Sequence, residues 1–304
     1  MYFFAKKCIF LYYFCNKIGI IPSFFCNFAV EMEKYVRVHH QLLDFSRPRV
    51  MAIINLSADS FYTSCADWDE NRLLSYVEGV MQSGADMLDI GACSTRPHSL
   101  PVAVEEEWRC LSRGLDAIRH HWHEAIISVD TFRAAIAHKA IEHGADIIND
   151  VYGGDADSNM WDVVAQKEVP YVLTHAQSVE PIKNCDVVTH RVLHFLCERI
   201  NMLYQRGVKD VIIDPGFGFG KSVERNYALL RQLHVLDVLH APLLVGLSRK
   251  SMFYKPLNKS PKEVLPATVA AHMLALQQGA NILRVHDVDA AQQAITVFLK
   301  THKL

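Results

Sequence analysis

The sequence contains no C-x-x-C pair, although it has eight cysteines in 304 residues. This absence argues against zinc ribbons and thioredoxin-type redox motifs, which need two closely spaced thiols. The irregular spacing of the cysteines, in a chain of this size, is typical of reduced thiols in a cytoplasmic protein. Pairing of the eight cysteines in a secreted protein is the alternative that the spacing leaves open.

An excess of positive charge and long apolar runs are also missing. Lys and Arg number 31 against 33 Asp and Glu, so the formal net charge is −2. A broadly basic protein that coats nucleic acid is therefore excluded, although a local basic pocket is not, and we expect no nucleic-acid partner. Because no run of 18 apolar residues occurs, we also expect no membrane partner.

The first 28 residues hold a third of the chain's Phe, Tyr and Trp. Three interpretations compete: a signal peptide, a membrane-surface anchor, or an extension upstream of a translation start at Met32. A signal peptide fits poorly, because Asn16 and Lys17 interrupt the apolar run and no A-x-A cleavage site follows. We favour the extension and assign residues 1–31 to a non-core segment and residues 32–304 to one domain.

Four segments repeat one pattern, in which a glycine precedes a short apolar run that ends in a polar residue. They begin at Gly84, Gly144, Gly207 and Gly279. Glycine at such a position ends a helix, because it adopts a positive φ without steric cost. We expect Thr131 to cap the helix that Gly144 ends. Four further apolar runs lie in the gaps, at residues 50–55, 125–130, 169–175 and 242–246.

Eight apolar runs that alternate with amphipathic segments predict an α/β fold, a (β/α)8 TIM barrel, with a doubly wound sheet as the alternative. Continuous apolar runs are typical of parallel strands that are buried on both faces. The active site of such a barrel lies at the C-terminal ends of its strands. Here those ends carry the polar residues Asn55, Asp89, Asp130, Asn149, Thr174, His175, Asp214, Ser248, Arg249, Lys250, Arg284 and His286.

Specific motifs surround these strand ends. They are Met51-Ala-Ile-Ile-Asn55, Asp59-Ser60-Phe61, Ser94-Thr95-Arg96-Pro97, Ser128-Val-Asp130-Thr131, Asn149-Asp150-Val151, Asp214-Pro-Gly-Phe-Gly-Phe-Gly-Lys221, Ser248-Arg-Lys250 and Arg284-Val-His286-Asp287. In combination they resemble the motifs of the dihydropteroate synthases of folate biosynthesis, over about residues 50–298. The resemblance implies a transferase that condenses 6-hydroxymethyl-7,8-dihydropterin diphosphate with 4-aminobenzoate, giving 7,8-dihydropteroate and diphosphate.

The resemblance also implies roles for individual residues. The pterin-binding residues would be Asp130, Asn149, Val151, Asp214, Gly218 and Lys250. The residues for the diphosphate would be Arg284, His286, Asn55, Thr95 and Arg96, with Asn55 also holding Mg²⁺ as the cofactor. The residues for 4-aminobenzoate would be Phe61, Thr95, Pro97, Phe219, Lys250 and Ser251. Asp59 and Arg96 would close the loops over a dissociative reaction, in which diphosphate leaves before the amine attacks.

The sequence departs from the family pattern at three places, of which one is Ala92-Cys93 where the family has Gly-Glu before Ser-Thr-Arg-Pro. The first loop, residues 57–65, lacks the usual proline and glycines, and Thr174 stands where the family has a methionine that packs on the pterin. Two alternatives therefore stay open: a pterin-binding methyltransferase module and a non-catalytic paralogue that binds a pterin. The family further implies a homodimer, small-molecule substrates and a sulfonamide target, and we expect a cytoplasmic protein.

Overall fold

The computed structural model describes residues 34–38, 41–56, 69–93, 102–179 and 187–302. Within these ranges the chain forms ten strands and nine α-helices. The strands are β1 (Tyr35–Val38), β2 (Gln41–Asp44), β3 (Arg49–Asn55), β4 (Met87–Gly91), β5 (Ile126–Asp130), β6 (Ile147–Asp150), β7 (Tyr171–Thr174), β8 (Val211–Asp214), β9 (Leu244–Val245) and β10 (Ile282–Val285). The helices are α1 (Glu70–Gln82), α2 (Val104–His121), α3 (Ala134–Glu142), α4 (Met160–Lys167), α5 (Val188–Gln205), α6 (Val223–Arg231), α7 (Ser251–Leu257), α8 (Leu265–Gln277) and α9 (Val288–His302).

Strands β3 to β10 form one parallel sheet that closes into a barrel. The hydrogen-bonded order is β8-β7-β6-β5-β4-β3-β10-β9. A parallel bridge between Ile213 in β8 and Leu243, just before β9, joins the two edges of the sheet. The predicted (β/α)8 barrel is therefore confirmed, and each of the eight predicted apolar runs overlaps one of these strands.

The helices cover the outside of the barrel with their apolar faces. On α1 the buried residues are Leu73, Val77 and Val80, a spacing that places all three on one side of a helix. The four glycines of the sequence repeat follow helices α1, α3, α5 and α8 with φ between 91° and 93°. Their predicted function as helix terminators is confirmed.

A hairpin closes the N-terminal end of the barrel, and the sequence analysis did not predict it. Strands β1 and β2 pair antiparallel, and Val36, Val38 and Phe45 pack into the barrel opening. They contact interior side chains that come from all eight strands: Met51, Met87, Ile126, Ile147, Val172, Ile212, Leu244 and Ile282. Two strands of four residues each are too short to be distinguished by their periodicity alone.

Two expectations from the sequence need correction. Thr131 does not cap α3, whose N-cap is Arg133; its hydroxyl donates instead to Glu107, a fully buried residue of α2. Cys93 and Cys197 have free thiols, whereas Cys110 is disulfide-bonded, so the thiols are not all reduced.

In the part of the chain that the structure describes, no helix has the length and apolar character needed to cross a membrane. The proposed extension, residues 1–31, lies outside the described residues.

The hairpin supports a stability prediction. Phe45 is 4% exposed, so we expect Phe45→Ala to lower the free energy of unfolding by about 3 kcal/mol, because it removes a buried ring and leaves a cavity. Leu42, in the same hairpin, is 64% exposed, and Leu42→Ala should change that free energy by less than about 0.5 kcal/mol. Urea denaturation of both variants tests the assignment, and equal losses would show that the hairpin does not close the barrel.

Candidate active site

The interior of the barrel becomes polar two residues further along the strands than the apolar layer that the hairpin covers. Because alternate strand residues share a face, a step of two positions keeps a side chain inside the barrel. From Met87, Ile147, Ile212 and Ile282, each in the interior apolar cluster, that step leads to a polar residue. The residues reached are Asp89, Asn149, Asp214 and Arg284, and on β5 the same alternation from Ile126 leads to Ser128 and Asp130.

The centre of this polar layer is the guanidinium of Arg284. Its Nε donates to Asp89 Oδ2 at 2.6 Å, and its Nη2 donates to Asp130 Oδ2 at 2.6 Å. Asn149 Nδ2 donates to the same oxygen of Asp89 at 3.1 Å. Strands β4, β5, β6 and β10 thus each contribute one side chain to a single bonded group.

Burial and charge oppose each other in this group. Burial raises the pKa of Asp130 to about 7, although the positive charge of Arg284 acts to lower it. Burial alone would lower the pKa of Arg284, but the charges of Asp89 and Asp130 outweigh it and raise that pKa above its ordinary value. The guanidinium therefore stays charged, and its ion pair with Asp130 offsets the cost of burying that carboxylate.

A second group lies beside the first. Asp214 Oδ1 accepts a hydrogen bond from Gly216 N at 2.7 Å, and Lys250 Nζ lies 4.9 Å from the centre of the Phe219 ring. Burial lowers the pKa of Lys250 to about 8, and the charges of Asp214, Arg284 and Asp130 all act on it. Lys250 therefore faces the same space as the carboxylates of both groups.

The loop after β8 is held by Lys221. Its Nζ donates to the carbonyl oxygens of Gly216, Phe219 and His175 at 2.8, 3.0 and 3.1 Å, and lies 3.0 Å from His175 Nδ1. Burial lowers the pKa of His175 to about 3, so its imidazole is neutral and Nδ1 accepts. At Gly216, with φ of 69°, a Cβ would lie 2.0 Å from His175 O. Only glycine fits here, where the loop after β8 passes close to the loop after β7.

The other predicted residues lie around these groups. Gly218 N donates to Asn226 Oδ1 at 2.8 Å, and a Cβ on Gly218 would lie 3.3 Å from Lys250 Cδ. Val151 is buried just after β6. The half-buried residues at the same end of the barrel are Asn55 at the end of β3, His286 just after β10, and Ser251 at the start of α7.

Five predicted residues lie outside the described part of the chain. They are Asp59, Phe61, Thr95, Arg96 and Pro97. Their assignments to 4-aminobenzoate binding, diphosphate binding and loop closure stay predictions.

Asp89 and Lys221 are site residues to which the sequence analysis assigned no role. The signal for Asp89 was present, because it lies five residues after the glycine of its repeat, as Asn149 and Arg284 do in theirs. Lys221 had no such signal, since its acceptors are backbone oxygens brought together only by the fold.

Three buried polar atoms of strand residues have no hydrogen-bond partner within the described residues: Asp89 Oδ1, Ser128 Oγ and Thr174 Oγ1. Asp89 and Ser128 are register partners on β4 and β5, and Thr174 pairs in register with Asp214. Buried polar atoms of this kind normally bond to water or to a ligand. The barrel interior is thus suited to water or to a ligand with several hydrogen-bonding groups.

The fold and this polar layer are typical of a barrel enzyme with its site at the strand ends, and comparison with known proteins identifies the class. A family model described as "Pterin binding enzyme" matches residues 51–286. The dihydropteroate synthase of Haemophilus influenzae is 35% identical over 269 residues, which cover 86% of this chain and 97% of that protein.

Solved structures agree with the sequence relatives. The dihydropteroate synthase of Xanthomonas albilineans with 4-aminobenzoic acid has a TM-score of 0.82 and 36% identity, covering 90% of this chain and 99% of that one. That of Coxiella burnetii in complex with pteroic acid has a TM-score of 0.80 and 34% identity, covering 88% and 98%. The chain belongs to the dihydropteroate synthase family, whose members are transferases.

The depressed pKa of Lys250 predicts a pH dependence of stability. Between pH about 8 and the ordinary lysine value of 10.5 the unfolded chain binds more protons at this residue than the folded one. The free energy of unfolding therefore rises with pH in this range, by at most about 1.4 kcal/mol per pH unit from this group. We expect Lys250→Met to remove that contribution between pH 8.5 and 9.5.

Urea denaturation across this pH range measures the effect. The matched control is Lys259→Met, at an exposed lysine, which should keep the slope of the unmodified protein. If Lys250→Met also kept that slope, Lys250 would not be buried as a cation in the ligand-free protein.

Proposed function

We propose that this chain condenses 6-hydroxymethyl-7,8-dihydropterin diphosphate with 4-aminobenzoate, releasing 7,8-dihydropteroate and diphosphate. The observation that carries the proposal is the convergence of Asp130, Asn149, Asp214, Lys250 and Arg284 at one end of the barrel. The relatives support the two ligands, since one solved structure contains 4-aminobenzoic acid and another pteroic acid.

The pterin binds to the interior polar layer in this proposal. A pterin presents ring N–H groups, an amino group and a carbonyl in one plane, so it needs acceptors and donors at fixed positions. The carboxylates of Asp130 and Asp214 supply acceptors, the Asn149 amide supplies both kinds, and Lys250 donates to the carbonyl edge. Val151 and the backbone of Gly218 complete the surface around the ring.

The diphosphate lies at the rim, at the end of β10. Arg284 and His286 are two residues apart, so their side chains share one face of the chain. Arg284 Nη1 makes no hydrogen bond within the described residues, which leaves a donor for a phosphate oxygen. Asn55, and Thr95 and Arg96 from the second loop, complete the proposed anion site.

Asn55 is the proposed protein ligand of Mg²⁺. The described residues contain no group of three or more His, Cys, Asp or Glu able to hold a metal ion. A half-buried amide oxygen at the end of β3 suits Mg²⁺, because this ion binds through one or two protein oxygens together with substrate phosphates and water. When bound, the ion would neutralise charge on the departing diphosphate.

The proposed mechanism is dissociative. The bond between the pterin methylene carbon and the diphosphate oxygen breaks first, and the positive charge left behind is delocalised over the pterin. In this proposal the carboxylates of Asp89, Asp130 and Asp214 stabilise that charge electrostatically. The amine of 4-aminobenzoate then attacks the methylene carbon and loses a proton. Water would trap the cation, so closure of the loops that contain Asp59 and Arg96 keeps it out.

We place 4-aminobenzoate beside Lys250 and Phe219, whose side chains lie against each other. Ser251 would donate its hydroxyl to the carboxylate, and Phe61, Thr95 and Pro97 would cover the ring. Apolar faces with a few directed polar groups are typical of sites for small aromatic ligands.

We further propose that the protein is a cytoplasmic homodimer. Helix α8 has no charged residue, yet its Leu274 is 52% exposed, a pattern typical of a helix that another subunit covers. A monomer mass in sedimentation velocity, or fractionation of the protein with the membrane, would contradict this proposal.

The direct test of the reaction is diphosphate release by the purified protein with Mg²⁺ and both substrates. We expect release that requires 4-aminobenzoate. Methyl transfer to or from a pterin without diphosphate release would favour the methyltransferase module, and pterin binding with neither reaction would favour the non-catalytic paralogue.

Asp214→Asn tests the pterin site. The variant keeps the shape of the side chain but loses the charge, so we expect pterin binding to weaken by about 1–3 kcal/mol through one lost charge-assisted hydrogen bond. Asp162→Asn, at a 68% exposed side chain on α4, is the control and should bind pterin normally. Calorimetry measures both, and an unchanged affinity would remove Asp214 from the pocket.

His286→Ala tests the anion site. We expect the Kd of the pterin diphosphate to rise about tenfold or more, because one hydrogen bond to a charged group is lost. Binding of the pterin without diphosphate should change by less than about twofold. Fluorescence titration with both ligands measures the difference, and equal effects on both would contradict an anion role for His286.

A further inference from the structure

Hydrogen bonds join two loops at the C-terminal end of the barrel. Residues 248–250 follow β9, and residues 286–287 follow β10. Arg249 donates through Nε to Asp287 Oδ2 at 3.0 Å and through Nη2 to Asp287 Oδ1 at 2.6 Å. His286 N also donates to Ser248 Oγ at 3.3 Å. These hydrogen bonds thus connect two loops that are almost 40 residues apart in sequence.

The backbone at Arg249 is held in an uncommon conformation. Its φ is 55°, in the left-handed region that a residue other than glycine rarely adopts. Its N–H donates to Thr268 Oγ1 on α8 at 3.2 Å. A strained residue persists where surrounding contacts determine its conformation, and such residues cluster at functional sites.

Each bonded segment carries part of the proposed site. Lys250 follows Arg249 directly, and its amine faces Asp214 and Asp130. His286 precedes Asp287 directly, and Arg284 lies two residues before it. The Arg249–Asp287 pair is therefore directly adjacent in sequence to a residue proposed for the pterin and to a residue proposed for the diphosphate.

We propose that Arg249 and Asp287 are positioning residues that fix the distance between the pterin site and the diphosphate site. The proposal rests on the function proposed above and deepens it. Two planar donors on two carboxylate oxygens set both distance and orientation, which a single point charge cannot do. The pair touches neither half of the substrate, and acts on both through Lys250 and His286.

The consequence is specific to a substrate that spans both sites. A ligand that fits only one site needs no fixed distance, whereas a ligand with two joined halves benefits only if both sites lie at the matching separation. Loss of the pair should thus weaken binding of the joined substrate more than binding of either half alone.

The experiment compares three ligands on each variant: the hydroxymethyl pterin, inorganic diphosphate and the pterin diphosphate. For Arg249→Met we expect the Kd of the pterin diphosphate to rise about tenfold, the size of a typical pairwise coupling. The Kd values of the two separate ligands should stay within about threefold of those of the unmodified protein. Calorimetry measures all of them, and a melting curve verifies that each variant is folded.

Further variants separate geometry from charge and from backbone strain. Arg249→Lys keeps the charge but loses the two-donor geometry, and Arg249→Gly relieves the positive φ; both should behave like Arg249→Met. In the double variant Arg249→Met/Asp287→Asn the loss should equal that of one single variant, because both remove the same contact.

The control pair is Arg119 and Asp146, which are 2.8 Å apart and also half-buried. Arg119 lies near the end of α2, and Asp146 lies between α3 and β6, so the pair is at the N-terminal ends of the strands. Arg119→Met should lower the melting temperature and leave all three affinities unchanged. Parallel losses for all three ligands in Arg249→Met, or no loss for the joined one, would overturn the positioning role. Failure of the unmodified protein to bind the pterin diphosphate would instead overturn the proposed function.

Discussion

Arg284 lies between two buried carboxylates, and the arrangement of the site depends on that contact. The side chain of Asp89 is fully buried, and those of Arg284 and Asp130 are 19% and 13% exposed. An ion left without its partner in such surroundings costs about 3–5 kcal/mol. The guanidinium therefore holds β4, β5 and β10 together from inside, at the level where the barrel changes from apolar to polar.

The hairpin at the N-terminal end of the barrel determines where the interior changes from apolar to polar. The hairpin that contains Val36 and Val38 covers the apolar interior layer, and the side chains that fill this end of the barrel are hydrophobic. Strand alternation then directs the next interior side chains toward the open end. The apolar end and the polar end thus differ in chemistry, and the charged side chains described here lie together at the C-terminal ends of the strands.

Much of the fold was predictable from the sequence, for identifiable reasons. Buried parallel strands appear as continuous apolar runs, and Gly84, Gly144, Gly207 and Gly279 mark helix ends, so eight strands were visible without coordinates. Asp130, Asn149 and Asp214 could be assigned to the site because each ends such a run. Asp89 ends one too, but its role depends on Arg284, which is 195 residues away in sequence.

The remaining features depend on tertiary contacts that no local pattern encodes. Lys221 binds carbonyl oxygens that two loops bring together, and Arg249 finds Asp287 across two strand ends. Thr131 illustrates the opposite error, since its position before α3 predicts a cap while a buried Glu107 takes its hydroxyl. Local propensity was outweighed there by the need to satisfy a buried carboxylate.

The most direct test of the central claim is a crystal structure of the protein with a bound pterin. We expect the bicyclic ring inside the C-terminal end of the barrel, with hydrogen bonds to Asp130, Asn149 and Asp214 and its carbonyl edge at Lys250. The salt bridges of Arg284 to Asp89 and Asp130 should remain in place beneath it. A pterin bound elsewhere, or one that contacts none of these side chains, would contradict the account.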